Sequence, residues 1–271
     1  MTTFSALMYR LTIYFPLRVR EIGINFLALF IKREHIIKVS QKLFNGKALM
    51  GVLPDGKRLY YPLDDSKILP IISEIYYKNI YDVRQIENFS SICDVGAHIG
   101  VFTLKMSKQA PKSRIIAIEP NPTNFKFLAK NVSINGLADR VKMLNVAAGE
   151  KKEKALLLMN YLSRGDASMK EWHNAGSAGR LTINVISLAE ILSTTQGCDL
   201  MKIDVEGMEH EVLLGLGDQH LKVNALVIEI HIPIIRAADI YAWLDDHDFS
   251  ITRARKLYDD CLVVEAKRLC A

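Results

Sequence analysis

The chain has 271 residues, 49% hydrophobic and 24% charged, the balance of a soluble globular protein large enough to bury a full core. Its net charge of +5 lies wholly within residues 1–90, so the remainder is neutral and offers no basic, aromatic-interleaved stripe for nucleic acid. The four cysteines, Cys93, Cys198, Cys261 and Cys270, lack metal-ligand spacing and read as reduced core thiols of a cytoplasmic protein, although their even number leaves disulfides open.

From Phe4 to Ile31 large apolar residues are interrupted by Arg10, Arg18, Arg20 and Glu21. The uncharged tract Ile22 to Ile31 spans about 15 Å as a helix, half of a hydrocarbon core of about 30 Å, and cannot cross a bilayer alone. No small-residue cleavage site follows it, and Lys32-Arg33-Glu34 comes directly after, so it is not a signal peptide. Two readings stand: helices packed on the domain or on a second subunit of a homo-oligomer, or a basic amphipathic segment making peripheral membrane contact. Residues 36–62 alternate apolar and polar side chains around Asn45-Gly46 and Pro54-Asp55-Gly56, which predicts a small antiparallel element. Ser66 to Tyr81 has helical periodicity through Ile68, Ile71, Ile72, Ile75 and Tyr76, as a lid over a cleft or as core. Residues 1–80 are thus read as an N-terminal helical and β extension, and 81–271 as the main domain.

That domain opens with the stretch on which the rest is organised, Ile92-Cys-Asp-Val-Gly-Ala-His-Ile-Gly-Val-Phe102: a strand, a tight turn and a helix N-terminus. Such a turn collects backbone N–H groups above a parallel sheet, and a Cβ at Gly96 or Gly100 would hold a nucleotide-like ligand away. The spacing is Gly-x-x-x-Gly rather than that of a pyrophosphate binder, and Asp94 suits an ammonium group better than a pyrophosphate. Arg114 to Glu119 is a second buried-strand run ending in an acid, followed by Pro120-Asn121-Pro122, with Glu119 placed for two ribose hydroxyls. Together these features read as S-adenosylmethionine binding.

Asn121 to Asn135 follows as a helix and Arg140 to Val146 as a third strand, so alternating elements build a parallel sheet with ligands at its carboxyl ends. Leu156 to Leu158 and Leu181 to Leu188 read as further strands around a polar loop in which Ser168, His173 and Asn174 are either substrate contacts or simply solvated. Asp199-Leu-Met-Lys-Ile-Asp-Val-Glu-Gly207 places Lys202, Asp204 and Glu206 at a period of two. Three ionisable groups there are either a satisfied buried cluster or acid–base and substrate-binding groups. Ala225 to His231 brings Glu229 and His231 to the same end, where His231 is a core residue or, with Asp204, a base for a hydroxyl. Asp204 and Glu206 alone form no complete metal-ligand set, so no metal is assigned. A helix from Ile234 to Asp246 leads to a closing antiparallel hairpin, Phe249 to Arg253 with Cys261 to Ala266.

With these residues in view the chain resembles the FkbM family of S-adenosylmethionine-dependent methyltransferases, over roughly residues 90–235. The resemblance rests on DVGAHIGVFTL from Asp94, IEPNP from Ile118, NVAAGE from Asn145, DLMKIDVEGMEHEVL from Asp199 and VIEIH from Val227. It implies an α/β, Rossmann-like class I methyltransferase fold: a seven-stranded, mostly parallel sheet with an antiparallel C-terminal hairpin. It implies O-methylation of a hydroxyl on a small metabolite, sugar or glycan. Asp94, Gly96, Ala97, His98 and Gly100 would meet the methionine part, Glu119 with Pro120 and Asn121 the ribose, and Asn145 to Ala148, with Ala147, the adenine. Asp204, then His231, would be the base, with Glu206 on sugar hydroxyls and Lys202 beside them. The competing readings are an NAD-dependent oxidoreductase or epimerase on a related sheet and a noncatalytic membrane-surface module.

Overall fold

A computed structural model describes residues 48–62, 65, 67–81, 86–159, 167–170, 179–232 and 235–269. The proposed N-terminal helices, Asn45-Gly46, His173, Asn174 and Cys270 lie outside the described residues.

The main sheet forms where short runs rich in Ile, Val and Leu alternate with helical segments. Its strands are β3 (Ser91–Val95), β4 (Arg114–Ile118), β5 (Val141–Leu144), β9 (Leu200–Ile203), β10 (Ala225–His231), β11 (Phe249–Tyr258) and β12 (Cys261–Arg268), in the order β11-β12-β10-β9-β3-β4-β5. The central pairs are parallel, whereas β12 pairs antiparallel with β10 and with β11. The expected closing hairpin is therefore present, and its second strand inserts between β10 and the edge.

Between strands run α2 (Val101–Gln109), α3 (Pro122–Ile134), α5 (Glu209–Leu214) and α6 (Ala237–Asp246). α3 has Pro122 at its first turn, and Asn121 caps it by accepting from the N–H of Thr123 at 2.9 Å, an arrangement that satisfies an otherwise orphaned donor.

Two expected strands leave the main sheet. β8 (Gly179–Ser187) pairs parallel with β6 (Ala147–Gly149) and antiparallel with β7 (Glu153–Met159) in a separate three-stranded sheet, and α4 (Leu188–Leu192) follows β8. The mix of exposed and buried residues in β7 and β8 suits a sheet covered on one face, unlike the fully buried β9.

Before β3, β1 (Ala48–Val52) and β2 (Arg58–Pro62) pair antiparallel across the Pro54-Asp55-Gly56 turn, as the alternation predicted. Asn131 of α3, fully buried, bonds the Tyr60 N–H and C=O and the Ile99 C=O, pinning this hairpin to the glycine turn. The segment expected as one helix is α1 (Ile68–Ile72) continued by a wider π turn, Ser73–Tyr77. Leu53, Leu59, Ile68, Ile75 and Tyr81 share a core with Ile92, Ile99, Phe102 and Leu104, so residues 48–81 pack into the domain rather than beside it.

Candidate active site

Over the carboxyl ends of β3, β4, β9 and β10 lies a cavity of about 610 Å³. That volume is in the range of small-molecule and cofactor sites. Its roof is the segment from Lys67 to Tyr81, with Phe102 beneath. The roof is tied down: Lys105 Nζ donates to the Ile75 carbonyl at 2.6 Å, Tyr76 Oη to Asp55 at 2.9 Å, and Arg255 to the carbonyls of Asn79 and Ile80. The segment weighed as lid or core thus both lines the cavity and packs into the core.

At the glycine turn, Gly96, Ala97 and His98 line the cavity, but four of the turn's N–H groups are bonded within the protein. Those of Gly96 and Ala97 donate to the Ile118 carbonyl, that of His98 to Glu119 Oε2 at 2.8 Å, and that of Gly100 to the Ala97 carbonyl. The glycines also serve packing rather than ligand approach. A Cβ on Gly96 (φ 81°) would meet the Asp204 carbonyl at 1.8 Å, and one on Gly100 (φ 93°) would meet Leu128 Cδ1 at 2.7 Å. Close strand–strand and helix–turn approach is what these positions require.

Asp94 does not reach the cavity, contrary to the expected contact with an ammonium group. It is fully buried, accepts from Thr103 Oγ1 at 2.6 Å and lies 3.3 Å from Lys202 Nζ. Lys202 in turn sits 3.3 Å from Asp204 and donates to the Gly96 carbonyl at 2.8 Å. Burial works against its charge, but Asp204 and Asp94 outweigh it and raise its pKa.

Glu119, 5% exposed, lines the cavity with Pro120. It accepts from the N–H groups of His98 and Asn121 and from the Asn124 amide. Burial raises its pKa despite the lowering pull of His98 and these donors. His98 is held in the left-handed region (φ 53°), its Nε2 3.2 Å from Asp65, and Asp65 overcomes the effect of burial to raise the imidazole pKa. Asn121 spends its side chain capping α3, and Asn145 donates to the Glu119 and Pro120 carbonyls, so these two shape the strand tip from behind. Ala147, Ala148 and Leu157 form an apolar part of the lining.

Lys202, Asp204, Glu206 and His231 converge at the other end, as the period-two spacing predicted. The buried ring of His231 lies between two acids, Nδ1 2.8 Å from Glu209 and Nε2 3.3 Å from Glu206. Burial lowers its pKa, yet Glu206 and Glu209 more than reverse this and raise it. Both ring nitrogens of His231 thus face carboxylates.

Sequence reasoning passed over Tyr81 and Glu209 here, and placed Glu229 at this end without giving it a role. Tyr81 donates to Asp204 Oδ2 at 3.2 Å and contacts Glu229 Oε2; Glu229 also accepts from the Cys261 thiol at 3.2 Å; and Glu209 orients His231. Burial and Asp204 push the Glu229 carboxyl up to about 7, whereas Lys202 holds Asp204 below the usual carboxylate range against desolvation. Glu229 and Glu209 stand inside the motifs quoted for the family, but Tyr81 carries no local signal. Ser168 braces the site by donating to the Glu206 carbonyl at 2.6 Å.

An open parallel sheet extended by an antiparallel strand between its last parallel strand and the edge, with a glycine turn and an acid-tipped second strand around one cavity, is the architecture of class I S-adenosylmethionine-dependent methyltransferases, and this protein is of that class. Residues 94–251 match the model of the methyltransferase FkbM domain, more than half of the chain. The chain therefore belongs to the FkbM methyltransferase family, and its cofactor is S-adenosyl-L-methionine.

Among curated relatives, methyltransferase sdnD of Sordaria araneosa is 28% identical, with 77% of this chain and 93% of that one covered. The hexuronic acid methyltransferase AglP of Haloferax volcanii is 29% identical, covering 55% and 59%. The 31-O-demethyl-FK506 methyltransferase FkbM of Streptomyces tacrolimicus is 26% identical, covering 59% and 72%. A solved methyltransferase FkbM from Methylobacillus flagellatus is 18% identical with a TM-score of 0.45, covering 91% of this chain and 59% of that one.

The cavity suits the cofactor: a buried carboxylate, Glu119, stands between a small-residue apolar wall at Ala147 and Ala148 and a charged end at Lys202 and Asp204. A nucleoside with a charged amino-acid tail needs such a sequence of environments. Among the described residues no helix is long and apolar enough to cross a membrane.

Proposed function

We propose that this protein methylates a hydroxyl oxygen of a small metabolite, sugar or glycan unit. The observation that carries the reading is the convergence of Asp204, Glu206 and Glu229 on one end of the cavity, with the Tyr81 hydroxyl between Asp204 and Glu229. Carboxylates accept hydrogen bonds from hydroxyls, so this end suits a hydroxyl-bearing acceptor. Two relatives carry names of the same tenor, a hexuronic acid methyltransferase and a 31-O-demethyl-FK506 methyltransferase.

When bound, S-adenosyl-L-methionine supplies an electrophilic methyl on a sulfonium. Gly96, Ala97 and His98 would border its amino-acid part, Glu119 its ribose and Ala147 with Ala148 its adenine. At the acceptor end the hydrogen-bond partners of Glu229 among the described residues, the Tyr81 hydroxyl shared with Asp204 and the Cys261 thiol, are neutral, so it keeps the basicity needed to take a hydroxyl proton. Asp204 is paired with Lys202 and is the weaker base. Glu206 accepts from a second acceptor hydroxyl, oriented by His231. The segment from Lys67 to Tyr81, which lines one side of the cavity, would help position the reacting oxygen, and positioning of this kind supplies much of the rate.

Transfer of isotopically labelled methyl to fractionated cell glycans and lipids, followed by treatment of the product with alkali, tests the reading. A label that stays on the acceptor and carries no added positive charge is expected for a methyl ether. Release as methanol, the mark of a carboxyl ester, or retention on a cationic amine would overturn it.

A further inference from the structure

We infer that Asp204, Glu206 and His231 form a site for one divalent transition-metal cation at the acceptor end of the cavity. One ligand atom from each lies within 4.8 Å of those of the other two. Asp204 and Glu206 follow directly on β9, and His231 ends the neighbouring parallel strand β10, so the sheet sets their separation. One imidazole with two carboxylates suits Mn²⁺, Fe²⁺, Co²⁺ or Zn²⁺ better than the all-oxygen sets of Ca²⁺.

The surroundings match what a ligand set needs. His231 is 4% exposed, and its Nδ1 is 2.8 Å from Oε1 of Glu209, itself fully buried and fixed by the Gly207 N–H at 2.9 Å. An acid bonded to one imidazole nitrogen sets the ring so that the other nitrogen points at the metal. Here that other nitrogen, Nε2, points to Glu206. Lys202 and Tyr81 meet Asp204 at Oδ2, and among the described residues no hydrogen bond to Oδ1 accompanies them, so Oδ1 is the oxygen that would face an ion. Glu206 adopts a left-handed backbone (φ 53°), a strained conformation for a non-glycine residue. Around this point the acids Asp94, Asp204, Glu206, Glu209 and Glu229 outnumber the lysine, Lys202.

The ion's chemical role rests on the hydroxyl reading above, whereas the site does not. Three protein ligands leave coordination positions toward the cavity, where an acceptor hydroxyl oxygen would bind and become more acidic, its proton going to Glu229.

The experiment is a titration of the full, chelator-stripped chain with Mn²⁺ alone, followed by calorimetry and by loss of the free-ion paramagnetic signal, with S-adenosylhomocysteine affinity measured on the same samples. One Mn²⁺ per chain is expected, with affinity reduced about tenfold or more in Glu206→Gln and in His231→Gln while S-adenosylhomocysteine still binds. Absence of Mn²⁺ binding, or binding unchanged in both variants, overturns the site. Retained S-adenosylhomocysteine affinity in that case leaves the methyltransferase assignment standing, so the two failures are distinguishable. Should either variant also lose S-adenosylhomocysteine, Asp204→Asn replaces it in the comparison.

Discussion

Lys202 Nζ lies 3.3 Å from Asp94 Oδ1, and the two residues are register partners on adjacent parallel strands. Both are buried, so each charge depends on the other. Lys202→Met should leave Asp94 and Asp204 uncompensated and cost about 3–5 kcal/mol, the usual effect of removing one member of a buried pair. Urea unfolding monitored by circular dichroism measures this, and a change within 1 kcal/mol of zero would show that the pair is not structural.

Gly96 is the tightest crossing between β3 and the end of β9. Gly96→Ala combines a left-handed backbone with a collision against the Asp204 carbonyl, and should destabilise by about 2–4 kcal/mol. The same unfolding measurement applies. Gly56→Ala is the control: its φ of 87° carries the backbone strain, but nothing lies near its Cβ, so it should cost less.

Glu119→Ala should weaken S-adenosylhomocysteine binding about tenfold or more by removing a buried acceptor, as read by calorimetry. Burial raises the Glu119 pKa, so in the folded chain it takes up a proton at a pH where the unfolded chain is still ionised. Its ionisation therefore destabilises the fold above that raised pKa, and the penalty fades as pH falls through it. Cofactor grip runs the opposite way. Affinity should decline on acidification from above the ordinary carboxylate range, and Glu119→Gln should flatten that part of the profile.

Glu229→Gln should lower kcat about 100-fold or more, the usual scale of general-base catalysis, with S-adenosylhomocysteine affinity within a few-fold of the parent. Asp204→Asn should retain cofactor affinity as well, with methyl transfer falling sharply. Steady-state rates of labelled methyl transfer decide between them: unchanged turnover in Glu229→Gln removes that residue as proton acceptor.

Much of the site was legible before any coordinates. Lys202, Asp204 and Glu206 at and just past the end of β9, and Glu229 and His231 at the end of the next strand, were placed at one end of the sheet by their position in the strand runs, and all five line one cavity. Asp94 was misread because periodicity states which face a side chain takes but not what fills that face. Nor does the local pattern tell that the N–H groups of Gly96, Ala97 and His98 bond the Ile118 carbonyl and Glu119.

The amino-acid sequence by itself determined the alternation of strands and helices, the carboxyl-end location of the acids and the family, since each depends on spacing along a few neighbouring residues. Only the tertiary structure decided that Tyr81 stands between Asp204 and Glu229, that Glu209 orients His231, and that β7 and β8 leave the main sheet. Those outcomes depend on residues up to 148 positions apart, and which of them meet is set by how the layers pack rather than by any local pattern.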